Sequence, residues 1–184
     1  MNLPNKLTLA RIILIPVFMV LMQSSFNGNY LWAMVVFAIA SFTDYLDGYL
    51  ARKWGIVTDF GKFADPLADK ILTTTAIIYF VQLGLCHPVV LIVIITREFA
   101  VSGVRMIAAG APKGKVIAAN MWGKVKTVLQ MVSIVAILAM MAFAPHIDLL
   151  FVVANSLMWI VGAVTLVSGI QYLWENRQYF NTAK

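Results

Sequence analysis

Charge is scarce in this chain. Asp, Glu, Lys and Arg make up 12% of its 184 residues, against about a quarter in an ordinary soluble domain. Acidic residues are the scarcer sign, with eight against fourteen Lys and Arg. Hydrophobic residues fill 61% of the chain. That balance excludes a water-soluble globular domain. Cysteine is almost missing: Cys86 stands alone, so no intramolecular disulfide can form. Internal repeats and low-complexity tails are missing too. Arg11 interrupts the first apolar run and no small-residue cleavage site follows it, so that run is expected to be retained rather than removed as a signal.

Long apolar runs dominate what is there. Roughly 20 apolar residues cross a bilayer as a helix. Six candidate spans follow, at 12–26, 30–51, 66–83, 88–108, 123–143 and 149–173. The links between them are too short for a second domain. The expectation is an all-α polytopic membrane protein: one domain over 1–184, built as a six-transmembrane-helix bundle. Residues 2–11 mix apolar and polar positions and read as a short interfacial segment ahead of the first span. Asn5 is placed to cap that span, and Pro16 to kink it. Asp65-Pro66 reads as the start of the third span, with Asp at the N-cap and Pro at the first helical position.

The net charge of +6 does not point to nucleic acid, because the basic residues are one-sided. With six spans, all fourteen fall at one face or in the half-spans next to it. The opposite links, near 27–29, 84–87 and 144–148, contain no Lys or Arg. This positive-inside pattern puts both termini in the cytoplasm. The basic excess then faces anionic lipid headgroups and phosphorylated substrates.

Four of the eight acidic residues carry the most information. Asp44 and Asp47 lie near the end of the second apolar run, and Asp65 and Asp69 open the third. Ionisable groups at membrane depth are costly and mark function. Four carboxylates meeting there would repel one another without a cation, and an all-oxygen set suits Mg2+ or Mn2+. Asp44, Gly48 and Arg52 form one helical stripe, with Asp47 and Ala51 on the next. Gly48 and Ala51 lack bulk, which lets a ligand or a helix come close. Asp59 and Asp148 read as solvated helix ends. His87 and His146 are isolated on the other face.

The spacing Asp44-x2-Asp47-Gly48-x2-Ala51-Arg52-x8-Gly61-x3-Asp65-x3-Asp69 resembles the signature of the CDP-alcohol phosphotransferases at every fixed position. Eight fixed residues over 26 positions are far more specific than a lone glycine motif. Three further stretches extend the resemblance over most of the chain. They are Asn2-Leu-Pro-Asn5-x-Leu-Thr8-x-x-Arg11, Thr96-Arg97-Glu98-Phe99 and Asn120-x-Trp-Gly123-Lys124-x-Lys126-Thr127. These look like the bacterial branch whose acceptor is glycerol 3-phosphate. The resemblance implies transfer of a phosphatidyl group from CDP-diacylglycerol to that alcohol, with release of CMP. It implies two divalent ions held by Asp44, Asp47, Asp65 and Asp69, with Asp69 also acting as general base. It implies that Gly48, Ala51, Arg52 and Gly61 accommodate the CDP moiety, with Asn5 and Thr8 close by. It also implies a homodimer in the bacterial cytoplasmic membrane, with the active site facing the cytoplasm.

An acceptor phosphate needs cations. Arg97, Arg105, Lys124 and Lys126 are the candidates, since Arg offers a planar bidentate donor set and Lys a compact charge. The plainer reading of Lys124 and Lys126 is a membrane anchor. That of Arg97 is a structural pair with Glu98. Two rival functions stand beside this one. A different alcohol, such as inositol phosphate or another glycerolipid alcohol, would carry the same signature. An ion or metal transporter would also place carboxylates in a membrane, but with polar groups through its full depth and often repeated halves.

The charge pattern makes a direct topological prediction. A thiol introduced at position 28 should react with an impermeant reagent applied from outside the cell, and one at position 115 should not. Labelling at 115 without labelling at 28 would invert the topology.

Overall fold

The computed structural model describes residues 3–54, 59–110, 121–146 and 149–179; for 3–6, 44–54, 59–66, 109–110 and 179 it describes the backbone only. Six helices follow in order: α1 (Leu3–Gln23), α2 (Asn29–Trp54), α3 (Asp59–Gln82), α4 (Pro88–Gly110), α5 (Met121–Phe143) and α6 (Leu149–Glu175). A 3-10 turn at Arg177–Tyr179 comes after them. No strand occurs among the described residues. The all-α expectation therefore holds, and the four spans expected at 30–51, 88–108, 123–143 and 149–173 lie inside α2, α4, α5 and α6.

Two helix starts differ from expectation. The segment ahead of the first span is continuous with it, because α1 begins at Leu3. Asn5 is therefore inside the first turn and not at the N-cap. Pro4 falls where its missing N–H would have no partner anyway, so it does not stop the helix. Likewise α3 begins at Asp59, six residues before Asp65. Asp65 is not an N-cap and Pro66 lies within the helix. A proline there removes one backbone hydrogen bond, which a packed membrane helix tolerates with a local adjustment.

Links are closed by specific bonds. α3 ends in a Schellman motif: Leu85 N–H donates to the Phe80 carbonyl at 2.8 Å and Gly84 N–H to that of Val81 at 3.1 Å. Gly84 takes φ of 75°, which a side chain would oppose. Between α1 and α2, the Asn29 amide donates to the carbonyls of Leu21 at 3.3 Å and Ser24 at 2.6 Å. These caps satisfy backbone groups that a helix end leaves open.

The helices close into a ring in the order α1, α2, α5, α6, α4, α3, each packed on the next and α3 returning to α1. The α3–α4 joint is the sparsest side of that ring. The core fills the interior toward the ends without Lys or Arg. Phe18, Phe37, Leu72, Phe80, Ile94, Ile134, Leu138 and Met158 are fully buried there. Phe18 meets Phe37 at 5.9 Å and Tyr79 edge-on at 6.3 Å between ring centroids. Cys86 is buried in the same core. Burial pushes its thiol up to about 11, so it stays protonated and unreactive at neutral pH.

The outer surface is as apolar as the interior. Val20, Phe42, Ile78, Ile92, Val128 and Ile170, one from each helix, are all exposed. Water would penalise that belt, whereas lipid chains match it. α5 and α6 each carry a window long and apolar enough to cross a bilayer. At 1.5 Å per residue the six helices are ~30–40 Å long, against a hydrocarbon core of about 30 Å. The chain is a helical membrane protein.

Candidate active site

At the end of the bundle that carries the basic residues, the core gives way to a cavity of about 460 Å³. Its walls come from the middle of α3 (Asp69, Lys70, Thr73), α4 from its middle onward (Arg97, Glu98, Val101, Ser102, Arg105, Met106) and the first half of α5 (Gly123, Lys126, Thr127, Gln130, Met131). It opens where α3, α4 and α5 pack only sparsely on one another.

Glu98 organises the charges. Its Oε1 accepts from Arg97 Nη1 at 3.1 Å and from Lys126 Nζ at 2.5 Å. Its Oε2 lies 3.7 Å from Lys70 Nζ, which also donates to Ser102 Oγ. Lys126 is only 3% exposed. A buried ammonium is retained only when it is paired, and Glu98 supplies the pair. Arg105 is held differently. Its Nε donates to the Tyr172 hydroxyl at 3.3 Å, and its guanidinium lies 5.7 Å from the centroid of the same ring. Among the described lining residues four cations, Lys70, Arg97, Arg105 and Lys126, thus face the two carboxylates of Asp69 and Glu98.

The cavity brings together Asp69, Arg97, Arg105 and Lys126 from the sequence candidates. It leaves out Lys124, which is exposed. Lys124 and Lys126 are two residues apart on α5, so their side chains leave opposite faces of the helix. Thr8 is buried on α1. The side chains of Asn5, Asp44, Asp47, Ala51, Arg52 and Asp65, and the surroundings of Gly48 and Gly61, lie outside the described residues. The backbone carries Asp44 and Asp47 on the last turns of α2, and Asp65 on the turn of α3 before Asp69. Among the described residues no three metal-ligating side chains gather, as three of the four aspartate side chains fall outside that set. The donor set still fits a hard divalent ion: carboxylates only, with Asp69 on the wall of a cavity rich in cations.

Sequence reasoning missed several partners. Arg11 reads as a basic interfacial residue but is fully buried, and its Nε donates to the Ala40 carbonyl at 3.2 Å. Ala40 is one helical turn before Asp44, so a permanent cation sits beneath the aspartate stretch. Glu98 was legible as the one carboxylate within a span after Asp69. Tyr172 and Gly169 sit in an apolar run that gave no signal. Gly169 faces Arg97: a Cβ there would lie 2.8 Å from Arg97 Cγ, closer than real contacts allow.

The profile of the CDP-alcohol phosphatidyltransferase family matches residues 1–167, and the chain belongs to that family. It is 44% identical to a Bacillus subtilis protein, covering 99% of this chain and 98% of the relative. It is 39% identical to one from Pseudomonas fluorescens, covering 94% and 89%, and 36% identical to one from Rickettsia felis, covering 97% of each. All three are named CDP-diacylglycerol–glycerol-3-phosphate 3-phosphatidyltransferase.

The contact at Gly169 can be tested by substitution. Gly169→Ala should displace Arg97 and reduce transfer activity by about tenfold, the lower range for losing a charge-assisted hydrogen bond. Gly103→Ala, with open space around its Cβ, is the control and should be neutral. Equal activity of the two variants would mean that Arg97 reseats without cost.

Proposed function

We propose that this protein transfers the phosphatidyl group of CDP-diacylglycerol to glycerol 3-phosphate, forming phosphatidylglycerophosphate and CMP. The observation that carries this reading is the cavity in which Arg97, Arg105, Lys126 and Lys70 surround a space bounded by Asp69. Family membership supplies the reaction class, and the names of the relatives supply the acceptor.

The acceptor phosphate is a dianion and is held by Arg97, Arg105 and Lys126. Glu98 keeps Arg97 and Lys126 oriented toward the space between them. Asp69, on the wall of the same cavity, takes the proton from the acceptor hydroxyl as its oxygen attacks the phosphatidyl phosphorus. The new P–O bond forms as the bond to CMP breaks, and CMP leaves with the electron pair. Asp44, Asp47, Asp65 and Asp69 would hold two Mg2+ or Mn2+ ions, which when bound neutralise the donor pyrophosphate. Gly48, Ala51, Arg52 and Gly61 accommodate the CDP moiety, with Asn5 and Thr8 at its edge. Lys124, exposed on α5, serves as a headgroup anchor.

The chain is a single membrane domain over 1–184. It crosses the cytoplasmic membrane six times with both termini and the cavity on the cytoplasmic side, and the resemblance favours a homodimer. Charge sidedness supports the orientation. The buried apolar core beyond the cavity speaks against an ion path, which would need polar groups through the whole depth.

Activity should require a divalent cation, and Asp44→Asn should abolish it while the protein remains folded and monodisperse in detergent. Full turnover in excess chelator would remove the metal assignment.

Donor and acceptor sides should separate kinetically. Arg105→Gln should raise the half-saturating glycerol 3-phosphate concentration by roughly one to two orders of magnitude, the range of a charge-assisted hydrogen bond, and leave that of CDP-diacylglycerol nearly unchanged. Arg52→Gln should do the reverse. Titration of both substrates decides this. A wild-type preference for a non-phosphorylated alcohol would show that the cations serve another purpose.

A further inference from the structure

The cavity contains four uncharged polar side chains among its described lining residues: Thr73, Ser102, Thr127 and Gln130. Three are already engaged. Thr73 Oγ1 donates to the Asp69 and Lys70 carbonyls at 3.1 and 3.3 Å. Thr127 Oγ1 donates to the Gly123 carbonyl at 3.0 Å, and Ser102 Oγ accepts from Lys70. Gln130 is different. It is 4% exposed, and its Oε1 takes no hydrogen bond among the described residues. A buried amide without a partner is destabilising, and such groups call for a ligand, a water or a functional explanation.

We propose that Gln130 is a hydroxyl-recognition subsite for the acceptor, selecting a phosphorylated polyol over a phosphorylated simple alcohol. The proposal rests on the reading of the cavity given above. Gln130 follows Lys126 by four residues on α5, so both leave the same face, one turn or ~6 Å apart along the axis. That separation is comparable with the length of a three-carbon phosphate monoester. With the phosphate on Arg97, Arg105 and Lys126, and the attacking hydroxyl toward Asp69 on α3, the remaining hydroxyl of glycerol 3-phosphate lies toward Gln130. An amide offers both a donor and an acceptor, and a hydroxyl uses both. It carries no charge, so it adds nothing to the hold on the phosphate and selects only the neutral part of the molecule. The two ends of the amide can exchange by rotation, so either can meet the hydroxyl.

The test compares two acceptors with the purified full-length protein and CDP-diacylglycerol, following CMP release. Glycerol 3-phosphate is one. The other is 3-hydroxypropyl phosphate, which keeps the phosphate and the primary hydroxyl and lacks the secondary one. The wild-type protein should favour glycerol 3-phosphate in kcat/KM by on the order of tenfold or more, as a site built to bind a hydroxyl rejects an analogue without it. Gln130→Leu should lose activity on glycerol 3-phosphate and bring the ratio of the two acceptors close to one. Should Gln130→Leu fail to fold, Gln130→Met keeps the side-chain length and should show the same collapse of the ratio. An equal loss on both acceptors would make Gln130 structural, completed by water or packing, and would overturn the subsite. So would a wild-type protein that does not discriminate. If the wild-type protein released CMP with neither phosphate ester but did so with another alcohol, the transfer reaction would stand, while the acceptor assignment and the subsite would both fall.

Discussion

The carboxylate of Glu98 bridges three helices that otherwise barely touch one another at this end of the bundle. It reaches Lys70 on α3, Arg97 on α4 and Lys126 on α5. In an apolar setting these three cations would repel one another strongly, and Lys126 would be unstable as a charged group. Glu98 neutralises part of that repulsion and fixes where the cations stand. It does not cancel it. Among the described residues of the cavity the cations still outnumber the carboxylates, so the pairing that holds the walls together leaves them suited to an anionic ligand.

This constraint explains the division of the bundle into two halves. In one half Phe18, Phe37, Phe80, Ile134 and Leu138 fill the ring and hold it by packing. In the other half the ring is held by ion pairs and hydrogen bonds around an open space. The second arrangement is less cohesive per residue, and it survives because the first anchors all six helices. Tyr172 joins the two regimes. It is buried with Val101 and Val104, yet its hydroxyl and ring hold Arg105 at the cavity wall.

α6 contributes no charged side chain to the cavity but determines how two of the cations are placed. Tyr172 steers Arg105, and Gly169 makes room for the stem of Arg97. An apolar helix thereby shapes a polar cavity. Arg11 on α1 likewise braces α2 through the Ala40 carbonyl, one turn before Asp44.

The sequence by itself determined the six helices, because each depends on a long local run of apolar residues. It determined the reaction class as well, because the aspartate signature lies within 26 consecutive positions. It also separated a charged end from an uncharged one, since charge sidedness needs only the order of the spans. Helix starts were less legible: Asn5 and Asp65-Pro66 read as starts, and both helices begin before them. Tertiary structure decided everything that required knowing which helix meets which. Lys124 and Lys126 look alike in sequence, but only the position of α5 in the ring turns Lys126 inward and Lys124 out. Glu98 and Gly169 gain their roles from neighbours on other helices, at separations in sequence that no local pattern encodes. The physical reason is that burial and pairing are properties of a packed interior, and the interior exists only once the ring has closed.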